Sequence, residues 1–551
     1  MKNVFILIAL CALAASAQIN SFPKPNYFRE TFAKPVMHVE LRPPVRLADY
    51  VVAGKDGKKL ELSLHSYLDL VMANNTDISV SRLAVQTSQN AITRAFAPFD
   101  PLATARWTTT RSTTPASDAL QGASTLQTLQ QPANFQWQQL LPSGTQYNVQ
   151  FFGQKISTNS GFQNFNPALN ASLAVNFTQP LLKNRGTYVN RLFIMSARSQ
   201  LRVTEYNLKD RVIGLIGDAE NAYWDVVLAR ETLRVQESAL DLANQALTRA
   251  RQELNLGAMS PLDIFNPEQQ VATAEIGVSQ ARYTLLQRED ALRRQMGADL
   301  DPSIRLLPIA LTETVSLPGE APPVNADTEI DRALRSRQDL KAVNQSLDVD
   351  DLGIKVASNN LRPDLSLVGG YTSQGRGGIF TPRQNFIDPG LSIGNVSPVP
   401  GGFNDALGQL FGFGYPIYYA GLQLRMPIRN RAAAADLADA MVTKKRDALQ
   451  VRNTEQTIRL DILNAVNAIE SSKASIKLSK VALDFSNKYL DAEKKKYELG
   501  TSTIFFVLQA QTAVVNAESA VVQNTIAYRR NLLNLSRRTG ELLEERGVAI
   551  Q

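Results

Sequence analysis

Leu256-Gly257-Ala258-Met259-Ser260-Pro261-Leu262-Asp263-Ile264-Phe265 and, 243 positions later, Leu499-Gly500-Thr501-Ser502-Thr503-Ile504-Phe505-Phe506-Val507-Leu508 are two versions of one turn. The displacement runs on without a gap, pairing Val271 with Val514, Ala274 with Ala517, Glu275 with Glu518, Gln280 with Gln523, Leu292 with Leu535, Arg294 with Arg537 and Gly297 with Gly540. A register held this long marks an internal duplication, the first thing to settle in a chain of 551 residues. Upstream, Val212, Ala219, Val226, Leu233, Leu240, Leu247 and Leu254 recur every seven residues, answered by Ile462, Ile469, Ile476, Leu483, Leu490 and Tyr497. Sustained seven-residue spacing predicts long helices packed side by side as in coiled coils, because globular helices seldom run so far without a breaker.

A second register, displaced by 262, aligns Asp69 to Pro101 with Asp331 to Pro363 and pairs Asp77-Ile78 with Asp339-Leu340 and Ala95 with Ala357. Each half is therefore expected to hold a short helix ending near Ala97 or Asn360, an irregular stretch, a long helix ending near Leu254 or Glu498, a turn and a second short helix. A helix from Gly186 to Leu254 would be roughly 100 Å long at 1.5 Å per residue. The short helices Leu62 to Ala97 and Ser260 to Gly297 together match that length, so one can complete the column of the other end to end.

Between the short and long helices, Leu169, Ala171, Leu173, Val175 and Phe177 alternate with Asn170, Ser172, Ala174, Asn176 and Thr178. The second half repeats the pattern with Ala420, Leu422, Leu424 and Met426 against Gly421, Gln423 and Arg425. Such alternation fits a barrel strand between lipid and a wet lumen, and equally a half-buried strand of a soluble sheet. Partner strands starting near Leu102 and Leu365, with Trp107 and Tyr371 as interfacial aromatics, give one hairpin per half and four strands in all. Four strands cannot close a barrel, and open edges are not tolerated in lipid, so copies must assemble.

The chain opens with Lys2, an apolar run from Val4 to Ala15 and Ala15-Ser16-Ala17, the pattern of an export signal cut before Gln18. Cys11 lies in that run and is the sole cysteine; the histidines are His38 and His65. No zinc or nucleophile site is expected from this inventory. The net charge of +7 lacks clustered basic runs, which argues against nucleic-acid binding. Gly375-Arg376-Gly377-Gly378 has no Walker lysine after it and reads as a flexible loop.

Two hairpins, two long helices and the paired Leu-Gly turns resemble the TolC-like outer-membrane efflux family over residues 60 to 540. The resemblance implies a homotrimer in the bacterial outer membrane, with twelve strands in one transmembrane β-barrel and long coiled-coil-like helices forming a periplasmic α-barrel. It also implies docking to a periplasmic adaptor and an inner-membrane transporter, with no cofactor and no enzyme activity. The fold class is mainly α with a small β part. The expected layout is a signal peptide (1–17), an N-terminal linker (18–58), a first repeat (59–300), a linker (301–327), a second repeat (328–540) and a C-terminal tail (541–551). The polar stretch from Thr110 to Pro167 and its Gly-rich counterpart from Thr372 to Gly414 read as loops on the cell exterior.

At the two turns, Gly257 and Gly500 suit a left-handed helix end, and Ser260 and Thr503 suit helix N-caps. Together with Leu256 and Leu499 they form the expected adaptor-docking tip. The family places acidic residues just after the second turn, where this chain has Phe506 and Gln509; the first repeat has Asp263 and Asn266. The expected constriction is thus an apolar barrier at Phe506 near a ring of Asp263 carboxylates. The competing reading is a soluble periplasmic coiled-coil adaptor or scaffold, in which the alternating segments are ordinary sheet strands.

Overall fold

The computed structural model describes residues 50–54, 57–117, 123–160, 163, 165–257, 260–298, 305–313, 324–380 and 401–548. The expected signal peptide, His38 and most of the segment 18–58 lie outside them, as do Ala258, Met259 and much of 301–327.

In chain order the elements are β1 (Val51–Gly54), β2 (Gly57–Leu62), α1 (Leu64–Asn74), α2 (Thr76–Ala95), β3 (Leu102–Trp107), β4 (Thr110–Pro115), β5 (Thr125–Leu140), β6 (Gln146–Thr158), β7 (Phe165–Pro180), α3 (Thr187–Asn190), α4 (Leu192–Asn255) and α5 (Phe265–Gln295). They continue with β8 (Ile309–Leu311), α6 (Ala326–Ser336), α7 (Gln338–Asn360), β9 (Asp364–Phe380), α8 (Phe403–Phe411), β10 (Tyr415–Arg425), α9 (Arg431–Glu498), α10 (Ile504–Thr539) and α11 (Leu542–Glu545).

The duplication is visible in the helices. The long helix α4 has 64 residues and α9 has 68, on the order of 100 Å each. Each packs on its own return helix, α5 or α10, and α10 also packs on α4. The first short helix breaks at Asn75, whose side chain accepts the Asp77 amide at 2.9 Å as cap of α2 and donates to the Gln295 carbonyl at 3.2 Å. That bond seats α2 on the end of α5 and makes one column of the two. The equivalent break in the second half is Arg337, extended in backbone and paired with Asp339 and Asp461. The helices form one layer in the order α5/α2, α4, α10/α7, α9. Although α10 is long and apolar enough to cross a membrane by composition, it carries Gln509, Gln511, Thr512, Asn516 and Glu518 and is a member of this layer.

At mid-height, β1 and β2 pair antiparallel and β8 joins β2 in parallel, so the segments read as linkers contribute strands to one small sheet. Beneath it lies a core of Leu62, Tyr67, Leu68, Ile216, Tyr223 and Leu292. Leu542 of α11 enters the same core, and Arg546 grips the buried Glu220 carboxylate with two bonds of 2.7 and 2.9 Å.

The large sheet corrects the expected strand count. Its order is β10-β9-β7-β6-β5-β3, all antiparallel, with β4 also on β5. The pairing register of β3 with β5 continues unchanged into that of β4 with β5. The two are one strand, interrupted opposite Pro132, which has no N–H for the ladder. The chain therefore crosses the sheet six times, four in the first half and two in the second. The expected external loop from Thr110 to Pro167 is mostly strand. Gly375-Arg376-Gly377-Gly378 is not a loop either: it lies in β9. Within the expected second loop, 381–400 falls outside the described residues and Phe403–Phe411 is helix α8.

Candidate functional site

Both turns lie at the sheet-distal end of the helical layer, where Ala246 of α4 packs on Ile504 and Leu508 of α10. Gly257 and Gly500 have φ of +72° and +70°, the left-handed conformation that ends a helix at little cost only in glycine. Leu256 and Leu499 beside them are exposed. Thr503 stands at the N-cap position of α10 with extended backbone, but its side chain makes no capping bond. Ser260 is not a cap: its hydroxyl accepts the Leu262 amide in a separate turn, and α5 starts at Phe265.

Asp263 and Asn266 are exposed at the start of α5. Phe506 and Gln509 share the exposed face of α10, and Phe506 meets Phe505 edge-on with ring centres 5.5 Å apart. The opposite face, Ile504, Val507 and Leu508, is buried against α4 and α9.

A brace that the sequence pattern had hidden joins the two repeats just above the turns. The Tyr497 hydroxyl at the end of α9 donates to Glu253 at the end of α4. Arg249 pairs with Glu253 at 3.0 Å and with Glu498 at 3.8 Å, and its guanidinium lies 5.2 Å from the centre of the Tyr497 ring. Burial and the bond to Glu253 push the Tyr497 phenol up to about 12, so it stays a donor at neutral pH. The exposed ion pairs contribute about 0–1 kcal/mol each; the bond to the carboxylate contributes about 1.5–3 kcal/mol. The one available signal was a tyrosine in the apolar heptad series where the first repeat has Leu254. The second turn has a further tie, since Glu493 accepts from Lys496 at 2.7 Å and from the Ser502 hydroxyl at 3.0 Å.

At the other end, the two faces of the sheet differ in chemistry. One carries Ala133, Phe135 and Trp137 of β5, Val149 and Phe151 of β6, and Ala171, Leu173, Val175 and Phe177 of β7, placed side by side by the register. Trp107, Phe135, Val175 and Phe177 of this face are exposed. The other face is tied across strands by amides: Gln150 donates to Asn134 at 3.0 Å, Asn176 to Asn148 at 2.9 Å, and the Tyr419 hydroxyl to Asn176 at 3.1 Å. One layer that is apolar outside and amide-lined inside, continuing into helices of about 100 Å, is the wall of a membrane channel.

The family model for outer membrane efflux proteins matches residues 67–298 and 330–541, and the chain belongs to that family. The TolC outer membrane protein of Vibrio cholerae is 21% identical over 378 residues, covering 68% of this chain and 77% of that protein. TolC of Escherichia coli is 25% identical over 344 residues, 61% of this chain and 63% of that protein. Among solved structures, the CusC channel superposes with a TM-score of 0.61 at 15% identity, covering 92% of this chain and 99% of that one. The chain is thus an outer-membrane channel protein with its helical part in the periplasm, and the soluble-scaffold reading is set aside.

Proposed function

We propose that the chain is one third of a passive exit duct, a homotrimer that carries small molecules or proteins across the periplasm and outer membrane and catalyses no reaction. The observation that carries this reading is the pair of sheet edges. Among the described residues, β3/β4 and β10 pair on one side only, while the face between them is apolar and exposed. Edges of this kind persist in lipid only when another chain closes them. The chain crosses the sheet an even number of times, so the two edges run antiparallel and β10 of one copy can pair with β3/β4 of the next. Three copies give eighteen strands in place of the twelve that four per chain would supply.

The turns at Gly257 and Gly500 then form the periplasmic tip, which docks to an adaptor serving an inner-membrane transporter. Phe506 and Asp263 line the constriction there, and the Tyr497–Glu253–Arg249 brace holds it narrow. Chemical crosslinking in the native membrane should give three chains; a stable monomer or dimer would reject the assembly. Replacing Gly257 or Gly500 with valine should impair export while leaving the trimer in the outer membrane. Unchanged export in both variants would remove the docking role.

A further inference from the structure

Helix α8 lies on the sheet, and the side it occupies is the apolar one. Ala406 and Leu410 are fully buried against Ala171, with Phe151 and Leu173 beside them. The Ser373 hydroxyl, in register with Leu173, donates to the Leu410 carbonyl at 2.6 Å. The seat is made of glycine. A Cβ on Gly375 would lie 1.9 Å from the Ala406 carbonyl oxygen, one on Gly377 would lie 2.3 Å from that of Gly402, and one on Gly153 would lie 3.3 Å from the Phe403 ring. Gly402, Ala406 and Leu410 lie over Gly377, Gly375 and Ser373 in turn, so the helix runs along β9 and antiparallel to it, with the Phe403 ring reaching across β7 to Gly153 on β6.

Its height follows from the register. Ala171 is nine residues from Pro180, the helix-proximal end of β7. At ~3.3 Å per residue and a tilt of ~40°, that is about 23 Å along the barrel axis, near the top of an apolar band about 25 Å tall. The two ends of the helix also differ. Gln409 accepts the Arg376 amide, and Asp405 accepts the Gly402 amide, both toward the outer end of β9. Phe411 is exposed, and Phe413 packs on Tyr371, four residues nearer the helices than Gly375, with ring centres 5.9 Å apart. The helix thus begins with polar groups at the outer end of β9 and ends with aromatic ones nearer the middle of the bilayer, the order of polarity met on entering a membrane through its interface.

We infer that α8 is an interfacial anchor: a helix outside the barrel wall whose Phe411 and Phe413 insert among the acyl chains of the outer leaflet and fix the depth of the channel. The inference rests on the outer-membrane reading, and its test is built to separate the two. With Cys11, the sole cysteine, replaced by serine, one engineered cysteine can carry an environment-sensitive fluorophore. Phe411→Cys, Phe177→Cys low on the apolar face and Asn148→Cys on the amide-lined face are labelled as assembled channels in vesicles containing spin-labelled phospholipid. Lipid quenching is expected at 411 and 177, and quenching by aqueous iodide at 148. If 177 is quenched by lipid and 411 by iodide alone, the anchor is overturned and the membrane reading stands. If neither sees lipid, the membrane reading itself fails. Gly375→Val, which drives a side chain into the helix backbone, should at least halve lipid quenching at 411 and leave 177 unchanged. Undiminished quenching at 411 in that variant would overturn the glycine seat.

Discussion

The two repeats share one order of main helices, whose lengths agree within five residues, and differ by a factor of two in their strands. Each half has a broken short helix, one near 100 Å and a return helix behind a left-handed glycine. Only the first half has the hairpin β5–β6 between the strand that follows α2 and the strand that enters α4. The difference follows from what each architecture tolerates. A helix in a close-packed layer has fixed neighbours along its whole length, so an inserted residue rotates every later contact by 100°. An inserted hairpin breaks one strand pair, makes three, and leaves both outer edges running as before. The sheet can widen by whole hairpins while the helical layer cannot change.

The extra hairpin can be removed by deletion. Deleting residues 118 to 158 should let β3/β4 pair directly with β7 and equalise the repeats. Barrel diameter grows about linearly with strand number, so in a background with an opened tip, single-channel conductance should fall roughly twofold. An unchanged conductance would place β5 and β6 outside the wall.

Opening the tip tests the brace that ties the repeats together. Tyr497→Phe keeps the ring and removes the bond to Glu253, and resting conductance should rise severalfold, as it should for Phe506→Ala. Asp263→Asn should instead weaken cation preference at nearly constant conductance, since a ring of like charges acts on selectivity. If all three variants conduct like the parent, the gate lies elsewhere.

Next in size is the asymmetry at mid-height, where the first repeat buries Glu220 against Arg546 and the second has Leu463 at the equivalent place. Glu220→Gln leaves the guanidinium half-paired and should cost up to about 3–5 kcal/mol, read as a lower midpoint of chemical unfolding.

The smallest effect is expected from acid. The Lys496 and Ser502 bonds hold Glu493 below its ordinary value of 4.5. A depressed carboxylate stabilises above its unfolded value and loses that contribution as pH falls through the folded one. Below pH 4.5, hydrogen exchange at residues 499–502, corrected for its intrinsic pH dependence, should accelerate while the turn at Gly257 is unaffected. Equal acceleration at both turns would remove the special role of Glu493.

The helical half was legible because its signals are long: a heptad series and a turn repeated at one displacement survive single exceptions such as Tyr497. The sheet was legible only where it faces lipid. Leu169 to Thr178 alternates in full, and so does Ala133 to Gln138, but Pro132 and the Thr- and Gln-rich run before it masked the second stretch as a loop. At the tip, the glycines declared themselves through backbone conformation. Ser260 misled because a serine that closes a turn and one that caps a helix have the same sequence signature. The brace could not be read, since a contact between residues 253 and 497 depends on how two columns are set side by side.

The inserted hairpin has a consequence for how the two parts of the wall meet. Four helical columns at ~9 Å spacing span an arc of ~36 Å. Six strands at ~4.8 Å spacing, tilted by ~40°, span ~38 Å, whereas four strands at that tilt would span ~25 Å. The extra hairpin brings the circumference of the barrel to that of the tunnel without a steeper strand tilt. In the proposed assembly, cargo leaving the helical part would then meet neither a step nor a throat where the described helices and strands join, and the proposed narrow point of its path would be the far tip.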